Sequence, residues 1–383
     1  MSKSCREQPV RRFKKSRKRC LKNERAHREV SRVFFALGQA MDDSHSPRPD
    51  LIREMKMKTL TPMAVALAFV VTAPLAKADW KIVEKENPLG PGSAVDVLQG
   101  GKPVARLVHG EGQIKPFLHV FGTDGELVTN PGLDKEGKGT GLFNHHRGIF
   151  IGWNKVSSDL GNYDMWHRGG PGQGRYDIVK FENTTTKNSG SIVALIKWRA
   201  TKKDASGSDV IISERRTFRV SRPAGKHTQI DASFELKAER DVSLGGDLQH
   251  AGVHFRAHTE VAKRNKETSY LWEPSEAKGG GRVIHDNHQW ARLLFPIGKR
   301  WYTAQEMNSP KNGVKELSWR DYGRFGYFLP KSLKKGEPFN LKFRFAIEEV
   351  DAPANAPKQS EEQIKKSQKK CVRRYEAFLK SLD

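Results

Sequence analysis

The chain has 383 residues and carries 68 Lys and Arg against 44 Asp and Glu, a formal charge of +24. At ~100 to 200 residues per domain that length permits two domains or one large β domain, with enough chain to bury a substantial core. The charge is unevenly spread, with 15 Lys and Arg against 7 Asp and Glu in residues 1–54, so the folded body is far less basic than the total implies and nucleic acid is not an expected partner.

Residues 55–78 explain the unevenness. Lysines at 56 and 58 precede an apolar run over 63–75, and Ala76-Lys77-Ala78 then stands before Asp79. A charged start, a short apolar stretch and an Ala-x-Ala site are the parts of a secretory signal peptide, and the run is too short to span a bilayer comfortably. Cleavage is expected after Ala78, with no stable membrane insertion afterwards. The basic run 11–19 would read as a localisation patch on its own, but an export signal behind it makes residues 1–54 an over-extended or disordered leader, with the true start at Met55 or Met57. Localisation is therefore read as exported, periplasmic or extracellular. Of the three cysteines only Cys371 would remain in the mature chain, so no internal disulfide can form.

From Asp79 the hydrophobic period is mostly two. Residues 94–98 and 104–108 flank Gly100-Gly101 as a hairpin, and 117–121 and 127–129 flank Thr123-Asp124-Gly125-Glu126, whose Asp-Gly suits a type I′ connection. Further strands are expected over 192–198, 216–220, 229–236, 252–257, 290–295, 325–329 and 341–347, the last placing Leu341, Phe343, Phe345 and Ile347 on one face. Short strands separated by turn signals predict an all-β chain, a large antiparallel β-sandwich over 79–350. Residues 351–383 read as a linker and a C-terminal helix: Ser360-Glu-Glu-Gln363 has the capping-box form, and Ile364, Cys371, Tyr375, Phe378 and Leu382 make one helical stripe that should dock on the sandwich.

Two stretches carry the chemistry. The first is Asn144-His145-His146-Arg147-Gly148 with Trp153, followed by Tyr163-Asp164-Met165-Trp166-His167-Arg168, and Gly-rich segments flank it without Walker spacing, which excludes a phosphate loop there. Were the first run extended, only one of His145 and His146 could enter a given pocket. The second is Asp247-Leu-Gln249-His250-Ala-Gly-Val-His254-Phe-Arg256-Ala-His258. As a strand it puts His250, His254, Arg256 and His258 on one face and Ala251, Val253, Phe255 and Ala257 on the other, with Gly252 marking a bulge or a close approach.

The runs Lys115-Pro116-Phe117-Leu118-His119, Thr123–Val128, Asn144-His145-His146-Arg147-Gly148, Gln249–Arg256 and Arg320-Asp321-Tyr322-Gly323-Arg324-Phe325-Gly326 resemble exported bacterial proteins of the "methane oxygenase PmoA"-like family over about residues 80–350. The resemblance implies export. It supplies no catalytic residues, and a membrane oxygenase subunit would need spanning helices that the mature chain does not offer. A second resemblance, to galactose-mutarotase-like supersandwiches, rests on Gln249-His250 standing where those proteins have an Asn-His strand, and implies a His acid and a carboxylate base acting on a sugar.

Together these readings describe an exported protein that binds, and as an enzyme would process, a carbohydrate or related polyhydroxylated ligand. If an enzyme, it would be of epimerase, lyase or hydrolase type. His146 or His250 with Asp164 or Asp247 would supply acid and base, while His145, Arg147, His254 and Arg256 bind hydroxyls and Trp153 and Trp166 offer flat apolar faces. No cofactor is predicted, and a metal has no motif to support it. The alternatives are a non-catalytic glycan-binding module and a metalloenzyme using His145 or His146 with His250 and His254, which match no short metal motif and would have to meet through tertiary approach.

Overall fold

The computed structural model describes residues 79–383 apart from 168, 170–171, 224–226, 276–280, 354–357 and 383. The leader and signal expected over 1–78, Arg168 and most of the linker lie outside the described residues.

Alternation of apolar and polar residues builds two large antiparallel sheets. In order across the first lie Trp80–Glu86, Ser93–Gln99, Lys102–His109, Phe117–Val120, Ile149–Trp153, Ala251–Arg256, Arg324–Phe328, Glu316–Arg320 and Arg282–Ile284. Across the second lie Ser269–Glu273, Trp290–Ile297, Arg300–Asn308, Pro338–Val350, Thr228–Ala238, Val210–Ser221, Ser189–Arg199 and Arg175–Phe181, with Thr184–Thr186 paired on Ser189–Arg199. A smaller sheet joins Lys331–Leu333, Val242–Gly245, Lys155–Ser158 and Gly161–Tyr163. The fold is an all-β sandwich with one C-terminal helix. No described helix is long and apolar enough to cross a membrane.

The core lies between the two large sheets. Ile149, Ile151 and Trp153 of one central strand, and Val253 and Phe255 of its neighbour, meet Phe343, Phe345 and Ile347 from the other sheet. Burying a large apolar side chain this completely contributes ~1.5 to 3 kcal/mol, so this layer dominates the fold. Pro338–Val350 is buried on both faces over its middle, because the C-terminal helix Glu361–Leu379 covers its outer side. There Ala346, Met307 and Trp290 pack on Cys371, Tyr375 and Phe378, and Glu348 accepts from Lys370 at 2.6 Å and Arg374 at 3.0 Å. Ile364 is only half-buried, and Ser360 and Gln363 form the expected capping box.

One turn differs from expectation. Only Gly125 has a positive φ in the 122–126 connection, and its N–H donates to Gly122 C=O at 3.0 Å. A type I′ turn needs two successive left-handed residues, so the chain instead turns through Thr123-Asp124 and uses Gly125 to rejoin the ladder.

The face of the first sheet turned away from the core positions the site. Phe150 alternates with Ile149 and Ile151 to reach that side, where it packs with Val108, Phe117 and Trp166. Gly152 stands beside Phe150, and a Cβ there would lie 2.8 Å from Met165 O and 3.4 Å from Trp166 Cε3. Its cross-strand partner is Gly252. The missing side chain lets the segment that follows Tyr163 settle directly on the sheet.

A three-histidine candidate site

Three segments converge on this face. The first is a turn: His146 N–H donates to Phe143 C=O at 3.0 Å, so His145 and His146 do not alternate as they would in a strand and their rings lie 4.3 Å apart, edge to face. Arg147 Nε donates to Asn144 O at 2.8 Å and Nη1 to Gln113 Oε1, while Asn130 Nδ2 donates to His146 O at 2.7 Å.

The second and third segments share a local device. In Asp164-Met165-Trp166-His167 the carboxylate caps its own turn, Oδ1 accepting from the N–H groups of Trp166 (2.8 Å) and His167 (2.9 Å), while Oδ2 holds His167 Nδ1 at 2.8 Å. In Asp247-Leu248-Gln249-His250 the carboxylate accepts from Gln249 N–H at 2.9 Å and from Asn154 Nδ2 at 3.0 Å and holds His250 Nδ1 at 2.8 Å. Asp is suited to this role because its short side chain reaches the backbone two residues ahead. Each turn delivers an imidazole with one nitrogen fixed by a carboxylate and the other free to act.

The three rings gather closely. His145 lies 4.7 Å from His167 and 5.7 Å from His250, and His167 lies 4.6 Å from His250. One ligand-type nitrogen from each falls within 4.8 Å of the others. His145 Nε2 is buried with no hydrogen-bond partner among the described residues. The carboxylated pairs are open to solvent: Asp164 and His167 side chains are each 33% exposed and His250 is 21% exposed.

Burial favours the neutral form of His145 and His250. Burial, then the Lys115 charge, pushes His145 down to about 3, and burial lowers His250 despite the Asp247 carboxylate. Burial alone would raise Asp164 and Asp247, but in each the hydrogen bonds from the histidine ring and the backbone outweigh it and leave the carboxyl below its usual range. Lys115 lies beneath, buried, its Nζ donating to Trp166 O at 2.6 Å and His145 O at 3.1 Å and standing 4.8 Å from the Phe150 and Trp166 ring centres. It ties together the two turns that carry His145 and His167, and burial, then the Arg147 charge, holds its pKa well below the lysine range.

The other candidates named from sequence sit behind this cluster. His146 is buried, with neither ring nitrogen partnered among the described residues, and burial followed by the Arg324 charge pushes its pKa far down. His254 is occupied, its Nε2 facing Ala251 O at 3.1 Å and its Nδ1 facing Arg324 Nη1 at 3.2 Å. Arg256 is buried over the Tyr322 ring at 4.6 Å with Nη2 donating to Leu142 O, and Arg147 is buried in the loop it braces. Trp153 cannot serve as a sugar platform: it faces the inter-sheet core, with Nε1 donating to Leu329 O at 2.8 Å. Trp166 is fully buried and forms the floor under His146, His250 and His254. The two chemical clusters thus do meet, the His145 and His146 rings lying 5.7 and 5.6 Å from that of His250, and His167, quoted in the first stretch but given no role from sequence, completes the group. The signal that marks it is the repeated Asp-x-x-His at 164–167 and 247–250.

A family model described as a family of unknown function (DUF6807) matches residues 94–359. The chain belongs to that family. The cluster and the two Asp-x-x-His turns all fall inside the matched region, and nothing in the comparisons attaches the methane-oxygenase name. No curated protein matches the chain. Among solved structures, a galactose mutarotase related enzyme from Lactobacillus acidophilus is 10% identical, with 72% of this chain and 99% of that one covered and a TM-score of 0.34. A GalM/aldose epimerase homologue from C. elegans is also 10% identical, covering 71% and 100% with a TM-score of 0.32. A heparan sulfate lyase HepC mutant from Pedobacter heparinus is 12% identical, covering 73% and 37% with a TM-score of 0.27.

Proposed function

We propose that the chain is an exported, metal-dependent carbohydrate-processing protein whose centre is a divalent cation held by His145, His167 and His250. The observation that carries this is the convergence of three imidazoles, two with Nδ1 held at 2.8 Å by a carboxylate. Such a carboxylate fixes the ring tautomer so that the remaining nitrogen presents its lone pair, which is how metal-ligating histidines are ordinarily oriented. Three histidines leaving further positions free are the donor set of a catalytic rather than a structural zinc-type site. Three such ligands around a zinc-sized ion stand about 3.4 Å apart, so binding draws the rings in by about an ångström.

A cation in this position would polarise a hydroxyl or carbonyl and lower the pKa of water bound to it. Asp164 and Asp247 then act as orienting groups rather than as the acid or base, and His146 and Lys115 support the ligand turns from beneath. A polyhydroxylated substrate suits the centre because neighbouring hydroxyls can share the free coordination positions. Export rests on the signal at residues 55–78.

Metal analysis of the purified protein tests the reading. About one equivalent of a divalent transition metal is expected, abolished by His167→Ala and retained in His285→Ala, which lies outside the cluster. Metal-free protein that takes up none on titration with Zn2+, Co2+ or Mn2+ would refute it.

A further inference from the structure

Two oddities of this molecule coincide at one residue beside the histidines. Phe143 is 43% exposed, and with its neighbour Leu142 at 47% it belongs to a set of only five exposed large hydrophobics among the described residues. It is also the one non-glycine residue among them at positive φ, 54°. A bulky aromatic in the left-handed region is strained and persists where its surroundings overdetermine it, most often for a function.

The surroundings here are specific. Phe143 opens the four-residue turn whose third residue is His145. Its ring centre lies 6.0 Å from that of His145 and 4.9 Å from Tyr322, which is backed in turn by the Arg256 guanidinium at 4.6 Å. Arg256 also donates to Leu142 O at 3.2 Å, anchoring the turn from behind. One side of the ring is thus braced by Tyr322, and the ring stays open to solvent at a fixed offset from the histidine cluster. The expected platforms, Trp153 and Trp166, are both fully buried.

We propose that Phe143 is the substrate platform of the site: the apolar C–H face of a pyranose ring lies against it while the ring hydroxyls reach toward His145, His167 and His250. This rests on the metal-dependent reading above and names its substrate as a cyclic sugar rather than an open-chain polyol. An aromatic ring matches the C–H face of a pyranose through contact area, whereas an acyclic chain presents no such flat face.

The test uses the full exported protein loaded with Zn2+, a panel of methyl pyranosides of hexoses and uronic acids, and the alditols of the same sugars. At least one pyranoside should bind at least tenfold more tightly than its alditol, with saturation-transfer NMR signals concentrated on the C–H protons of one ring face. Phe143→Gly should weaken that binding at least tenfold and leave alditol binding and metal content unchanged. Its melting temperature should hold or rise, since glycine accepts positive φ freely, while Phe143→Trp should restore pyranoside binding. The proposal is overturned if Phe143→Gly binds the pyranoside as wild type does, or if no pyranoside in the panel binds the metal-loaded protein. A protein that binds no metal at all fails the underlying reading instead, a separate result read from the metal analysis alone.

Discussion

Replacing Asp164 by Asn is the sharpest perturbation of the candidate centre, because it removes one charge and turns one acceptor oxygen into an NH2 donor with almost no change of shape. The Asn side-chain oxygen can still accept from the N–H groups of Trp166 and His167, which now stand at 2.8 and 2.9 Å, so the turn survives. Where the carboxylate accepts from His167 Nδ1, however, the amide offers a donor, and the imidazole answers by placing its proton on Nε2, the nitrogen needed for the metal. Losing an orienting carboxylate ordinarily costs 10- to 100-fold in metal affinity, about 1.4 to 2.7 kcal/mol, and a reversed tautomer belongs at the upper end of that range. The assay is competitive titration of Zn2+ against a chromophoric chelator, with urea denaturation of the metal-free proteins alongside. Stability without metal should fall by about 1 kcal/mol, because the half-buried side chain keeps its two backbone hydrogen bonds and loses one to the ring. Unchanged zinc affinity in Asp164→Asn would show that the Asp164 to His167 bond does not orient a ligand, and the metal reading would lose its main support.

Two further predictions concern the fold. Glu306 is fully buried with neither carboxylate oxygen partnered among the described residues, and burial raises its pKa well above the usual value. Between its unfolded and folded pKa the unfolded chain has lost a proton that the native state keeps, so stability falls as pH rises through that window, by up to about 1.4 kcal/mol per unit. Glu306→Gln should flatten this slope between pH 5 and 8 in urea denaturation, and an unchanged slope would assign it to other groups. Phe378→Ala removes a ring 2% exposed that lies against Tyr375 and 5.1 Å from the Arg344 guanidinium. It should cost about 3 kcal/mol or more by chemical denaturation, while a negligible change would mean that the helix contributes little to the body.

Much of the architecture was legible because strand alternation is a local signal. Leu341, Phe343, Phe345 and Ile347 reach the core together as their spacing says, and Gly252 takes the positive φ, 99°, that its place in the histidine row suggested. The burial of Arg344, Ala346 and Glu348 on the opposite face could not be read from the same strand, because it depends on a helix arriving from residues 361–379. The candidate site was legible as composition but not as geometry. Only an extended run would part His145 from His146, and the turn from Phe143 instead brings the two rings together, 4.3 Å apart. His254 and Arg256 share a face with His250 as expected, but they are packed against Trp166 and Tyr322, which come from elsewhere in the chain. Trp153 and Trp166 look equivalent in sequence, but Trp153 ends a strand with its ring in the sandwich core whereas Trp166 sits in the Asp164–His167 turn laid across the outer face.

The glycine pair 152 and 252 gives the molecule an uneven tolerance to change. Neither residue bears a functional group, yet a methyl at Gly152 would press on Met165 O, the carbonyl that Tyr176 holds at 2.9 Å, and one at Gly252 would fall 2.0 Å from Tyr327 O. A substitution at Gly152 therefore acts as a lever, lifting the Asp164–His167 turn and shifting one corner of the cluster while touching no imidazole. Random mutagenesis scored on ligand binding should find some of its most damaging hits in this silent part of the sheet, one layer beneath the chemistry.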